Sequence, residues 1–147
     1  MILIDADATE AAGRSLATHI RFGDVVALSG DLGAGKTSFA RGLLAGLGLD
    51  DEAPSPSFAL VIPYAAPDVR VPVWHIDLYR LDNGHEIDEL GLDEARGEAA
   101  LVIEWPERMG AKLWGDALKL RFDPHESGGR RLTIEVPPSW EGRCPLP

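Results

Sequence analysis

The chain is predicted to adopt an α/β fold around a mixed sheet, and three observations lead there. Residues 30–37 read Gly-Asp-Leu-Gly-Ala-Gly-Lys-Thr, which fits G-x-x-x-x-G-K-[ST]. An apolar run, Val25-Val26-Ala27-Leu28, leads in, and a helical stretch with Phe39, Leu43 and Leu47 leads out. Further on, apolar and polar residues alternate in paired segments joined by short turn-rich stretches, the mark of antiparallel hairpins. Strand, glycine-rich turn and helix in that order make a phosphate-binding P-loop. Its backbone N–H groups face outward and the helix points its positive end at the same spot. The expected architecture is a three-layer, P-loop NTPase-like fold with a mixed, mostly parallel central sheet and antiparallel hairpins.

The elements follow in order. Residues 9–20 read as a short amphipathic helix, with Ala12, Leu16 and Ile20 on one face and Glu10 and Arg14 off it. Phe22-Gly23-Asp24 is a turn, and residues 25–29 form the strand feeding the P-loop. The helix from Lys36 ends at Gly46-Leu47-Gly48. Pro54-Ser55-Pro56-Ser57-Phe58 cannot be helical, because each proline removes a donor and restricts the residue before it. Residues 58–64 and 71–78 read as strands joined through Ala65-Ala66-Pro67-Asp68, a hairpin. Residues 86–96 look like a small acidic helix interrupted by Gly91, and residues 99–104 like a strand covered on both faces. Leu118, Leu120 and Phe122, then Leu132, Ile134 and Val136, alternate with polar residues on two half-exposed strands joined through Ser127-Gly128-Gly129. Residues 1–137 make one domain, and the proline-bearing tail 138–147 is expected to be loosely attached.

Composition narrows the function. The 147 residues suit one domain, and 14 Lys plus Arg against 24 Asp plus Glu leave a formal net charge of −10. So acidic a chain is repelled by phosphate backbones, which disfavours unaided nucleic-acid binding as a primary role. The single cysteine, Cys144, can form neither an internal disulfide nor a multi-cysteine metal site. The N-terminus lacks a basic region followed by a long apolar one, and apolar runs elsewhere are too short to span a bilayer. A soluble cytoplasmic protein is the expectation.

The P-loop implies a nucleoside triphosphate, with Lys36 reaching the β- and γ-phosphates and the Thr37 hydroxyl on Mg²⁺. A second magnesium ligand normally comes from an acid at the end of a neighbouring strand. Asp77, after Val73-Trp74-His75-Ile76, and Glu104, after Leu101-Val102-Ile103, both have that form. Period-2 alternation puts His75, Asp77 and Tyr79 on one side of their strand and Trp74, Ile76 and Leu78 on the other. Asp77 could instead cap a turn, and Glu104 could pair with Arg108. His75 and Tyr79 read as supporting residues. Ser57 could offer a hydroxyl to the γ-phosphate or be a plain turn serine, and Arg130 could reach the nucleotide or remain solvated.

Four segments occur in a fixed order: Gly30 to Thr37 as above; Ser55-Pro56-Ser57-Phe58; His75-Ile76-Asp77-Leu78-Tyr79-Arg80-Leu81; and Ile103-Glu104-Trp105-Pro106-Glu107-Arg108. Together they closely resemble the TsaE (YjeE) family, small bacterial ATPases of tRNA threonylcarbamoyladenosine biosynthesis, over residues 9–136. The resemblance implies a compact fold that binds ATP with Mg²⁺, hydrolyses it slowly, and works with the TsaD and TsaB proteins, through which it meets tRNA indirectly. It implies that Gly33, Ala34, Gly35, Lys36, Thr37 and Ser38 contact the phosphates and that Thr37 and Glu104 hold Mg²⁺. Asp77 would act beside the γ-phosphate, Trp105 would shape the rim, and Arg130 would match a family arginine near the nucleotide. Where the family usually has threonine in the proline-rich loop, this chain has Ser57. A nucleoside or nucleotide kinase, or a nucleotide-gated adaptor without turnover, are the competing readings. No arginine-bearing lid segment favours the kinase.

Overall fold

Val25–Ser29 (β2) lies in the middle of a sheet and is buried on both sides, as its unbroken apolar sequence requires. The computed structural model describes residues 1–31, 33–51, 53–56, 60–81 and 84–146. In chain order the elements are β1 (Ile2–Leu3), α1 (Ala6–Ala17), β2, α2 (Lys36–Gly46), β3 (Val61–Tyr64), β4 (Val73–Asp77), α3 (Gly84–Asp88), α4 (Leu92–Arg96), β5 (Ala100–Glu104), β6 (Leu118–Pro124) and β7 (Arg130–Glu135). Two 3₁₀ segments, Pro106–Lys112 and Pro138–Trp140, complete the set.

Among the described residues the strands form one seven-stranded sheet in the order β1-β7-β6-β2-β5-β4-β3. Its centre is parallel: β4 with β5, β5 with β2, and β2 with β6. Its flanks are antiparallel, with β3 on β4, β7 on β6 and β1 on β7. This is the mixed sheet that the sequence predicts, parallel in the middle and flanked by hairpins. Period-2 alternation sorts its side chains to two faces. Val26, Leu28, Val102 and Val73 meet Leu16 and Ala17 of α1 and Phe39, Leu43 and Leu44 of α2. Val25, Ala27, Leu101, Ile103 and Ile76 meet Ile87, Leu92, Ala95 and Met109 on the other face. Three layers result.

The helices α1 and α2 cross at backbone contact. A Cβ on Gly42 would lie 2.0 Å from the Glu10 carbonyl oxygen, and one on Gly13 would lie 2.2 Å from that of Phe39. That close approach locks α1 against α2, whose first residues, Lys36 and Thr37, end the P-loop.

Several expectations are corrected. The first helix spans Ala6–Ala17 rather than 9–20, because the Asp5 carboxylate caps it by accepting from the Ala8 amide at 2.8 Å. The acidic stretch is two short helices, with Gly91 left-handed (φ 68°) between them. The segment 138–147 is not loosely attached where it is described. Trp140 is fully buried in the α1/α2 core and Leu146 is buried beside it. Arg143 lies 3.7 Å over the Trp140 ring, bonds both Asp24 carboxylate oxygens at 2.6 and 2.9 Å, and donates to the His19 carbonyl at 2.7 Å. Among the described residues no helix is long and apolar enough to cross a membrane.

Candidate active site

The C-terminal ends of β2, β5 and β4 come together at one edge of the sheet, where an open α/β fold gathers ligands. The turn after β2 uses positive φ at Gly30 (139°), Gly33 (77°) and Gly35 (106°). A Cβ on Gly33 would meet nothing within 4 Å, so that glycine faces open space, whereas one on Gly30 would lie 2.5 Å from the Phe122 carbonyl. The loop is thus a bare backbone concavity wedged against β6, with α2 beginning at Lys36 behind it.

A cleft of about 190 Å³ opens there, lined by residues 33–38, Asp77, Glu104 and Trp105. Lys36 is almost wholly buried. Its ammonium donates to the Gly30 and Asp31 carbonyls, the latter at 2.9 Å, and lies 4.2 Å from the Trp105 ring centroid. Burial lowers its pKa from the ordinary lysine value, and the nearby charges of Glu104, Glu107, Asp77 and Asp31 oppose that shift.

Asp77 and Glu104 are register partners on adjacent parallel strands, so their backbones stand one inter-strand spacing apart, about 4.8 Å. Both are buried. The Thr37 hydroxyl donates to Glu104 Oε1 at 3.0 Å, and His75 Nε2 lies 2.7 Å from Oε2. Asp77 Oδ1 accepts from the Tyr79 amide at 2.9 Å, so the turn-capping role raised from sequence is real, yet the residue also lines the cleft. Glu104 does not pair with Arg108, whose guanidinium instead sits 5.9 Å from the Tyr79 ring centroid. Tyr79 in turn packs on Trp105 at 4.9 Å.

Thr37 and Glu104 offer hydroxyl and carboxylate oxygens, hard donors that suit Mg²⁺. Their 3.0 Å separation matches the edge of an octahedron with bonds of about 2.1 Å. Among the described residues no group of three His, Cys, Asp or Glu could hold a metal by itself. A cation here would share its sphere with phosphate and water oxygens, as Mg²⁺ does.

Arg130, predicted from the last hairpin, lies to the other side of the loop. Its guanidinium donates to the Gly33 carbonyl at 2.9 Å and lines a second cleft of about 170 Å³, which shares Gly33, Gly35 and Ser38 with the first. Thr9 and Asp5 also line that cleft, though in the sequence Thr9 reads only as a helix start and Asp5 is not singled out. No local signal marks them, since α1 reaches the P-loop only through tertiary packing. Ser57, proposed for the γ-phosphate, lies outside the described residues, as do Leu32 and Phe58 of the quoted motifs.

The family model described as "Threonylcarbamoyl adenosine biosynthesis protein TsaE" matches residues 3–132. A protein of Streptomyces coelicolor named tRNA threonylcarbamoyladenosine biosynthesis protein TsaE is 42% identical over 112 residues, covering 76% of each chain. Its namesake from Bacillus subtilis is 35% identical over 132 residues, which are 89% of this chain and 81% of that one. Among solved structures, the crystal structure of Bacillus subtilis YdiB superposes with a TM-score of 0.77 at 28% identity, covering 91% of this chain and 82% of that one.

Proposed function

The chain belongs to the TsaE family, and on that footing we propose that it is a magnesium-dependent P-loop ATPase of tRNA threonylcarbamoyladenosine biosynthesis. The observation that carries this reading is the meeting of Lys36, Thr37, Asp77 and Glu104 around one cleft lined by the glycine-rich turn. The P-loop amides and the Lys36 ammonium bind the β- and γ-phosphates, the ammonium exchanging carbonyl partners for phosphate oxygens. Thr37 and Glu104 hold Mg²⁺, which when bound neutralises charge that builds on the phosphates. Asp77 orients the attacking water, its carboxylate acting beside the γ-phosphate. Arg130 and the second cleft take the nucleoside end of ATP.

In this reading the threonylcarbamoyl group goes onto the adenosine beside the anticodon through the TsaD and TsaB proteins. The formal charge of −10 supports an indirect relation to tRNA, because this surface repels a phosphate backbone while its partners grip it. Slow hydrolysis in the cytoplasm then times docking and release, the triphosphate form joining the partners and the diphosphate form leaving. The test is a reconstituted modification assay with TsaD, TsaB and tRNA. Lys36→Ala and Glu104→Ala should each lower ATP turnover by about 100-fold or more and abolish repeated modification, with circular dichroism unchanged. Full repeated modification by either variant would show that the ATP cycle is not needed.

A further inference from the structure

We infer that His75 is a positioning residue for Glu104, holding its carboxylate toward Thr37 and so presetting the divalent-cation site. The inference rests on the ATPase reading above.

His75 is fully buried near the end of β4, two register positions before the Asp77–Glu104 pair, and its strand partner there is the apolar Val102. An imidazole in such surroundings costs free energy that a valine would not, unless it makes a polar contact. It makes one, to Glu104 Oε2 at 2.7 Å. A carboxylate only accepts, so Nε2 carries the proton and donates. Nδ1 is buried with no hydrogen-bond partner among the described residues. The bond to Glu104 is therefore the ring's one polar contact among the described residues.

Glu104 is thus held by two donors, the Thr37 hydroxyl at 3.0 Å from Oε1 and 3.3 Å from Oε2, and the His75 ring at 2.7 Å from Oε2. The competitor for that carboxylate is Lys36, on which Glu104 exerts the largest attraction of the nearby acids. A freely rotating Glu104 would turn toward the ammonium, taking a ligand from the cation and a cation from the phosphates. By holding Oε2, His75 blocks that collapse. Outer-shell donors of this kind are worth about 10- to 100-fold in metal affinity.

The test is calorimetric titration of the full chain with the β,γ-imido analogue of ATP, with and without Mg²⁺. His75→Leu should weaken the Mg²⁺-linked part of the affinity by about 10- to 100-fold, while affinity without Mg²⁺ stays within about twofold. His75→Gln, whose amide reaches about as far as Nε2, should recover most of the loss. A role confined to packing would lower both affinities and would not be rescued by glutamine. Unchanged Mg²⁺ linkage in His75→Leu overturns the inference. Should that variant fail to fold, ¹⁵N spectra of the unaltered chain decide: a ring proton on Nε2 supports the inference, and an Nε2 without one overturns it. A native chain whose nucleotide affinity ignores Mg²⁺ overturns the ATPase reading itself and this inference with it, and that titration tells the two failures apart.

Discussion

Trp105 adopts φ 61° and ψ 50°, a left-handed conformation rare for a bulky residue and costing on the order of 1–3 kcal/mol. The sharp bend does two things: it ends β5 at Glu104, and it folds the indole back over Lys36 and against Tyr79. Strain of this kind persists where surrounding packing over-determines it, and here Pro106 and Met109 are buried directly behind. Thr37 carries a narrower burden. Thr37→Val keeps its shape and removes the hydroxyl, so Mg²⁺-linked nucleotide affinity should fall about tenfold or more with little change in melting temperature. A second residue-level effect concerns acid stability. The hydrogen bond from Arg96 lowers the Asp116 pKa from its ordinary value of 3.8. Its carboxylate binds protons less readily folded than unfolded, so its contribution is present above pH 3.8 and fades as pH falls through the lowered value. Because the pair is half-exposed, Asp116→Asn should remove less than about 1 kcal/mol and flatten the acid limb of a melting-temperature profile.

The P-loop unit, β2 with its turn and α2, has the same bounds in the sequence reading and in the structure, because its signals are local: an apolar run, φ-permissive glycines and a following helix. The helix α1 is a different case. Its start shifted because Asp5, an unremarked acid, caps it, and its packing depends on glycines whose purpose appears only against a neighbour. Gly42 sits inside a helix, where glycine is unfavourable by about 1 kcal/mol, because a Cβ there would lie 2.0 Å from the Glu10 carbonyl. Gly42→Ala should therefore destabilise despite its better helix propensity, by about 1–3 kcal/mol. Urea unfolding would show a lower midpoint at an unchanged slope, and a raised midpoint would contradict the packing account.

The whole molecule is closed by its C-terminal segment. Trp140 completes the core beneath α1 and α2, and Arg143 ties the His19–Asp24 turn that feeds β2. This clamp lies beyond the residues matched by the family model. Trp140→Ala should cost about 3–5 kcal/mol, and ending the chain at 137 should lower the melting temperature by at least as much as that substitution does. A truncated chain that melts like the full one would show the segment to be dispensable. Composition pointed the other way, since prolines and the lack of periodicity mark a terminus as loose, and a single tryptophan gives no hint of where it docks.

From its residues alone the chain declared an α/β architecture, the phosphate loop, two hairpins and four ordered motifs, because each is written within a few consecutive positions. It could also nominate Asp77, Glu104 and Arg130, but not bring them together. Asp77 meets Glu104 through the parallel pairing of β4 and β5, and Arg130 reaches Gly33 because β6 lies beside β2. The His75 bond to Glu104 and the seat of Trp140 likewise join residues far apart in the chain. Such contacts depend on strand order and on closing long loops, whose energetics are shared across the whole sheet, so no stretch of sequence encodes them by itself.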